Sequence, residues 1–189
     1  MIKVSYTMNG GVIMDVRYPI GRLEVPATVT RRHIDSWLEE IAQYIQNLRK
    51  TVANLSQEDL RATYREGSFT VQQLVHHIAD SQMNMFQRLK LALTDTHPKV
   101  SNFAQDEWVK LADSDLPIEV SIQMLDAINQ RVVAIGQHLT EKELARDFVL
   151  EGSGATTVGE TVAKLSWHAR HHLAHIQIAL GELEVNDAL

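Results

Sequence analysis

The sequence predicts an all-α protein folded as a four-helix bundle, with a long loop between the second and third helices. Four long segments repeat their apolar residues at the 3.6-residue period of an α-helix. Each segment opens with a residue able to cap free backbone N–H groups. Hydrophobic residues make up 44% and charged residues 22% of the 189 positions, which is typical of a globular domain rather than a disordered or fibrous chain.

The first two helices have clear boundaries in the sequence. Helix one is predicted from about Thr30 through "HIDSWLEEIAQYIQNLRKTVANL", which ends at Leu55. Helix two is predicted to open at Thr70, where Gln73 completes a capping box, and to continue to about Thr94.

The second half of the chain repeats this pattern. Helix three is predicted over "EVSIQMLDAINQRVVAIGQHL", residues 119–139, and a short helical turn is expected after it. Helix four is predicted to start at Thr157, with Glu160 as its capping-box partner. Residues 97–117 contain two prolines and are too long for a plain bundle connection, so we expect them to pack over one end of the bundle through Phe103 and Trp108.

Composition excludes several classes of protein. The formal net charge of -6 and the lack of clustered Lys and Arg argue against a nucleic-acid partner. Without cysteine, a metal ion can be held only by imidazole and carboxylate groups. The chain has no apolar run long enough to span a membrane and no signal peptide, so we expect a cytoplasmic protein without a membrane partner.

The N-terminus is interpreted as an extension of residues 1–16 ahead of a bundle domain of residues 17–189. Gly10 and Gly11 precede Met14 at a spacing that suits a ribosome-binding site read as protein. We therefore expect translation to start at Met14.

Four of the nine histidines lie between residues 168 and 175, in helix four. On a helical wheel His172 falls within the apolar face, His168 at its edge, His175 slightly outside it and His171 well away from it. Two pairs, His168/His172 and His171/His175, are each one turn apart, but only the first faces inward. Two interpretations of an inward pair stay open: core histidines bonded to backbone or water, or imidazoles that share a cation.

Helix two carries a second histidine pair. His76 points away from its apolar face, whereas His77 flanks that face in line with Ser81, Asn84 and Arg88. This polar column is either a helix edge that reaches solvent or the contribution of helix two to a site between helices. Three histidines would leave a coordination position open, as catalytic zinc does. Since free imidazole titrates near pH 6.5, we expect such a site to lose its ion below about pH 6.

The stretches "TVQQLVHHIADSQMN" and "WHARHHLAHI", together with "YPIG" at residues 18–21, resemble the DinB-like superfamily, particularly its YfiT-like metal-dependent hydrolases. The resemblance implies His77, His168 and His172 as ligands, the same three that the wheel selects. It also implies one divalent metal ion per chain, with zinc as the first choice and nickel as the alternative, and a homodimer. Two departures are "FVLEGSGATT" in place of a His-Pro segment and Gln82 where a histidine can follow "ADS".

Three functions are compatible with such a site. The first is a metal-dependent hydrolase of a small-molecule substrate, with Asp80 or Glu160 handling the proton and Asn84 and Arg88 contacting the substrate. The second is an S-transferase for a low-molecular-weight thiol cofactor such as bacillithiol or mycothiol, whose carboxylate Arg88 would hold. The third is a non-catalytic metal-binding bundle.

Overall fold

The computed structural model describes residues 15–183, so residues 1–14, with the predicted start at Met14, and residues 184–189 lie outside the described part. Four long helices form the bundle: α1 (Arg31–Thr51), α3 (Val71–Thr94), α5 (Ile118–Gly136) and α7 (Val158–Ala179). Between them lie three short helices, α2 (Gln57–Arg61), α4 (Gln105–Trp108) and α6 (Glu141–Leu144), a 3₁₀ turn (Ala112–Asp115), and the strands β1 (Lys99–Val100), β2 (Asp147–Leu150) and β3 (Gly154–Thr157). The predicted four-helix bundle is confirmed.

The predicted starts of α3 and α7 are confirmed at their caps. The capping residue expected at the start of the third long helix is wrong, because α5 begins after Pro117, which makes no side-chain cap hydrogen bond. The Thr70 hydroxyl accepts a hydrogen bond from the Gln73 N–H at 3.2 Å, and the Gln73 side-chain oxygen accepts from the Thr70 N–H at 3.0 Å. At the start of α7 the Glu160 carboxylate accepts from the Thr157 N–H at 2.7 Å and from its hydroxyl at 2.9 Å. These reciprocal bonds satisfy N–H groups that have no partner within a helix.

Two predicted helix ends are too late. Helix α1 ends at Thr51 rather than Leu55, and Asn54 just beyond it has a φ of 60°, a left-handed conformation that does not continue a helix. Helix α5 ends at Gly136 rather than residue 139. A Cβ atom at Gly136 would lie 2.5 Å from Leu38 Cδ2, so glycine allows α1 and α5 to approach closely here.

The order of the long helices around the bundle places α3 beside α7. Helix α1 packs against α5 and α7, and α3 packs against the same two helices. The order around the bundle is therefore α1–α5–α3–α7, in which α1 and α3, although consecutive long helices, are diagonal. The second and fourth long helices, which carry the histidine pairs, are neighbours.

A small sheet, which the sequence analysis does not predict, joins the long loop to the start of α7. Strand β1 pairs in parallel with β2, and β2 pairs antiparallel with β3, which runs directly into α7. Gly152 makes the β2–β3 turn with a φ of 76°. Strands of two to four residues are too short to show a period of two in the sequence.

The bundle interior consists of two apolar clusters with a polar pair at their boundary. The first cluster includes Ile34, Leu38, Met85, Leu89, Val132 and Leu165. The second includes Tyr44, Leu48, Leu74, Ile78, Leu125 and Ile176. At the boundary, buried Gln82 donates from Nε2 to Asn129 Oδ1 at 3.0 Å, and Asn129 Nδ2 donates to the Ile41 carbonyl at 3.3 Å.

Among the helices described within residues 15–183, none combines the length and the hydropathy that a membrane span requires.

We predict that Asn129→Leu lowers the free energy of unfolding by about 1–3 kcal/mol, because it leaves the buried Gln82 amide without its acceptor. The double variant Gln82→Leu/Asn129→Leu should lose less than the sum of the two single variants, since both polar partners are then removed. Urea unfolding of the four proteins measures this coupling. Strictly additive losses would mean that the two amides do not stabilise each other.

Candidate metal centre

Three imidazoles from α3 and α7 meet at one point. His77, His168 and His172 each offer a ring nitrogen, and these three atoms lie within 4.8 Å of one another. The ring centroids are 5.3 Å apart for His77 and His168, 4.8 Å for His77 and His172, and 4.5 Å for His168 and His172. The structure thus brings together the three predicted ligands, because α3 packs against α7 and a four-residue spacing stacks two rings on α7.

The surroundings of these rings fit a cation. His77 is 2% exposed, and the Nδ1 atoms of His77 and His168 are buried without a hydrogen-bond partner among the described residues. A ligand nitrogen needs a lone pair that no donor occupies, so the missing partners leave these rings free to coordinate. Three protein ligands would leave an ion held here an open position for water or substrate.

The electrostatic environment keeps the three imidazoles neutral. Burial lowers the pKa of His77 to about 4. Burial, followed by the neighbouring histidines and, for His168, by Lys164, lowers the pKa of His168 and His172 well below 6.5. The neutral form, which is the form that binds a metal ion, therefore dominates at pH 7.

His76 and His171 lie outside the cluster, but both are buried. His76 lies 2.7 Å from the Ser121 hydroxyl and 3.1 Å from the Leu116 carbonyl. His171 stacks on Trp167, with ring centroids 4.4 Å apart. The expectation that only His168 and His172 face inward on helix four is wrong for the buried His171, because other parts of the chain cover faces that a wheel of one helix treats as open.

His175 makes contacts that the sequence analysis missed. Its Nδ1 lies 3.2 Å from His172 Nδ1, and its Nε2 lies 3.0 Å from the Val16 carbonyl oxygen. Its ring stacks on Tyr64 at 3.9 Å between centroids. The three-residue spacing from His172 was a usable signal for the first contact. No local pattern indicated the contacts with Val16 or Tyr64.

The two carboxylates considered for proton transfer have different environments. Asp80 is half-buried, and burial, with a smaller contribution from Asp113, raises its pKa to about 6. Glu160 is engaged in the cap of α7 and precedes His168 by eight residues, roughly 12 Å along the helix. Glu160 is therefore a capping residue, and Asp80 is the remaining candidate.

The two residues expected to contact substrate line a cleft of about 450 Å³ under the long loop. The Asn84 amide donates to the Asp80 carbonyl at 2.9 Å, and buried Arg88 donates from Nη2 to the Ser101 carbonyl at 2.9 Å. Phe103 forms part of the cleft wall and lies 6.3 Å from the His77 ring between centroids. The cleft thus adjoins the histidine cluster through Phe103.

Two proteins are similar to this chain in sequence over most of its length. A protein of Oceanobacillus iheyensis named "Putative metal-dependent hydrolase" is 54% identical over 167 residues, which cover 88% of this chain and 96% of that protein. A protein of Halalkalibacterium halodurans with the same name is 40% identical, with 88% and 98% covered.

Two solved structures are similar to this fold. YfiT from Bacillus subtilis, described as a probable metal-dependent hydrolase with an unusual four-helix bundle topology, has a TM-score of 0.85 and 28% identity over 90% of this chain and 99% of that one. A mycothiol-dependent maleylpyruvate isomerase has a TM-score of 0.61 at 15% identity over 76% and 60%, which is a likeness of fold alone.

The family is established by the sequence itself. The pattern of the DinB superfamily matches residues 40–176, a range that includes all three clustered histidines. With this match and the 54% identity to the Oceanobacillus protein, the resemblance inferred from the two histidine motifs is confirmed: the chain belongs to the DinB superfamily.

Proposed function

We propose that this protein is a metal-dependent hydrolase of a small-molecule substrate, with one divalent ion held by His77, His168 and His172. The observation that supports this most directly is the convergence of three ring nitrogens within 4.8 Å of one another. The rings are neutral, and three ligands leave a coordination position open. The names of the Oceanobacillus and Halalkalibacterium proteins and the description of YfiT support the same activity.

An ion in this position supplies Lewis-acid activation of water or of a substrate oxygen. The residues around the ion would have different roles. The three imidazoles would hold the ion, and Asp80, with a pKa of about 6, is suited to accept a proton near neutral pH. Asn84 and Arg88 line the adjoining cleft and are proposed to contact the substrate.

We further propose that the ion is zinc. Zinc is favoured because imidazole nitrogen suits it and a three-histidine set with an open position is common in zinc enzymes; nickel also binds imidazole. The homodimer and the cytoplasmic location stay predictions.

We expect the zinc-loaded protein to hydrolyse a member of an ester and amide panel without added thiol. Asp80→Asn should retain the ion and lower turnover by about 10²–10⁴-fold, because a general base is lost. Turnover of an electrophile only in the presence of bacillithiol would instead select the S-transferase. Tight zinc binding without turnover in either assay would favour a non-catalytic binding protein.

We predict that His77→Ala, His168→Ala and His172→Ala each remove most of the bound zinc, since each takes away one of three ligands. Elemental analysis of the purified variants measures the stoichiometry. His171→Ala is the matched control, because it lies next to His172 on α7 but outside the cluster. His76→Ala is the corresponding control on α3. Loss of zinc from His171→Ala with retention in His172→Ala would reverse the assignment.

The lowered pKa values change the expected pH dependence. Three imidazoles with an ordinary pKa of about 6.5 would weaken zinc binding by roughly four orders of magnitude between pH 7 and pH 5. Because burial lowers all three pKa values, fewer protons compete at pH 5, so we expect the affinity to fall by less than this and the loss of the ion to move below the pH of about 6 expected from the sequence. Chelator competition at the two pH values, with circular dichroism to verify folding, distinguishes these results.

A further inference from the structure

We propose that His175 is a positioning residue which, anchored on the Val16 carbonyl, fixes the tautomer of His172 and so selects His172 Nε2 as the ligand atom. The inference rests on the metal site proposed above and extends it to a residue outside the three ligands. It follows from two hydrogen bonds that form one chain, from Val16 through His175 to His172.

The chain of bonds has one allowed direction, and the Val16 carbonyl sets it. A carbonyl oxygen only accepts, so His175 Nε2, 3.0 Å away, must carry a hydrogen and donate it. His175 is 2% exposed, and the hydrogen bonds of its ring within residues 15–183 go to a carbonyl oxygen and to another imidazole rather than to a carboxylate, so the buried ring is neutral and carries a hydrogen on one nitrogen only. Its Nδ1 therefore presents a lone pair.

The same reasoning fixes the next ring. His175 Nδ1 accepts, so His172 Nδ1, 3.2 Å away, must be the donor. A neutral His172 with a hydrogen on Nδ1 has its lone pair on Nε2. The reverse direction would place the His175 Nε2 lone pair against the Val16 carbonyl, leaving two buried acceptors facing each other. His172 thus offers Nε2 to the cluster without first having to lose a proton.

Further contacts stabilise both partners of the hydrogen bond between His175 and the Val16 carbonyl. His175 stacks on Tyr64, with an interplanar angle of 10°. The N-terminal strap, defined here as residues 15–22, contacts α7 through a hydrogen bond from Trp167 Nε1 to the Gly21 carbonyl at 3.2 Å. The Arg22 guanidinium lies 4.0 Å from the centre of the Tyr18 ring within the strap. Hydrogen bonds that orient metal-binding histidines typically change affinity by 10–100-fold when removed.

Two variants of His175 separate this role from packing. His175→Phe keeps an aromatic ring for Tyr64 but has no nitrogen, whereas His175→Asn loses the ring but places an acceptor oxygen near the position of Nδ1. We expect His175→Phe to weaken zinc binding about 10–100-fold and His175→Asn to remain close to wild type. Chelator competition measures affinity, and thermal melting monitors folding. The opposite order, with Phe tolerated and Asn impaired, would show that only packing matters and would overturn the proposal.

A second measurement needs no metal. Long-range ¹⁵N–¹H correlation spectra of the zinc-free protein report which nitrogen of each imidazole is protonated, with the His172 signal assigned from its loss in His172→Gln. We expect the Nδ1–H form of His172 in the wild type and in His175→Asn, and its loss in His175→Phe. An Nε2–H form in the wild type would overturn the proposal even if zinc binds. A wild-type protein with the expected tautomer but no zinc binding would instead overturn the metal site, and with it the role of His175.

Discussion

The packing of α3 against α7 is the interaction on which the rest of the site depends. His77 lies on α3, and His168 and His172 lie on α7, so the cluster exists only if these two helices are neighbours. In a bundle whose consecutive helices are all adjacent, the second and fourth helices would be diagonal. Placing α1 and α3 on a diagonal instead makes α3 and α7 neighbours. The helix order is thus a requirement of the site.

The buried histidines make folding sensitive to pH. In the unfolded chain each imidazole titrates near pH 6.5, whereas burial lowers the pKa of His77, His171 and His175 to about 4 in the folded protein. Between these values the unfolded chain binds more protons, so stability falls as the pH falls from about 6.5 towards 4. A cation that binds only the folded state would oppose this loss by mass action.

The sequence was sufficient for those features that depend on local spacing. Capping boxes placed the starts of α3 and α7, and a wheel of one helix at a time selected His77, His168 and His172. Contacts between segments that are distant in the chain could not be predicted. Strand β1 pairs with residues of β2 that lie fifty positions further along the chain, and His175 contacts the Val16 carbonyl, 159 residues away. Such contacts leave no periodic pattern.

These long-range contacts make the proposed site a property of the whole fold. Orienting His172 involves the N-terminal strap through Val16, the segment that carries Tyr64, and α7 itself, and the third imidazole comes from α3. A segment that is not yet docked cannot orient its ring, so the free energy of metal binding is coupled to the folding of all these parts. Variants of buried residues remote from the cluster, such as Asn129, should therefore lower apparent affinity only as the folded fraction falls. A loss of affinity at an unchanged melting temperature indicates a change in the orientation or number of the imidazoles themselves.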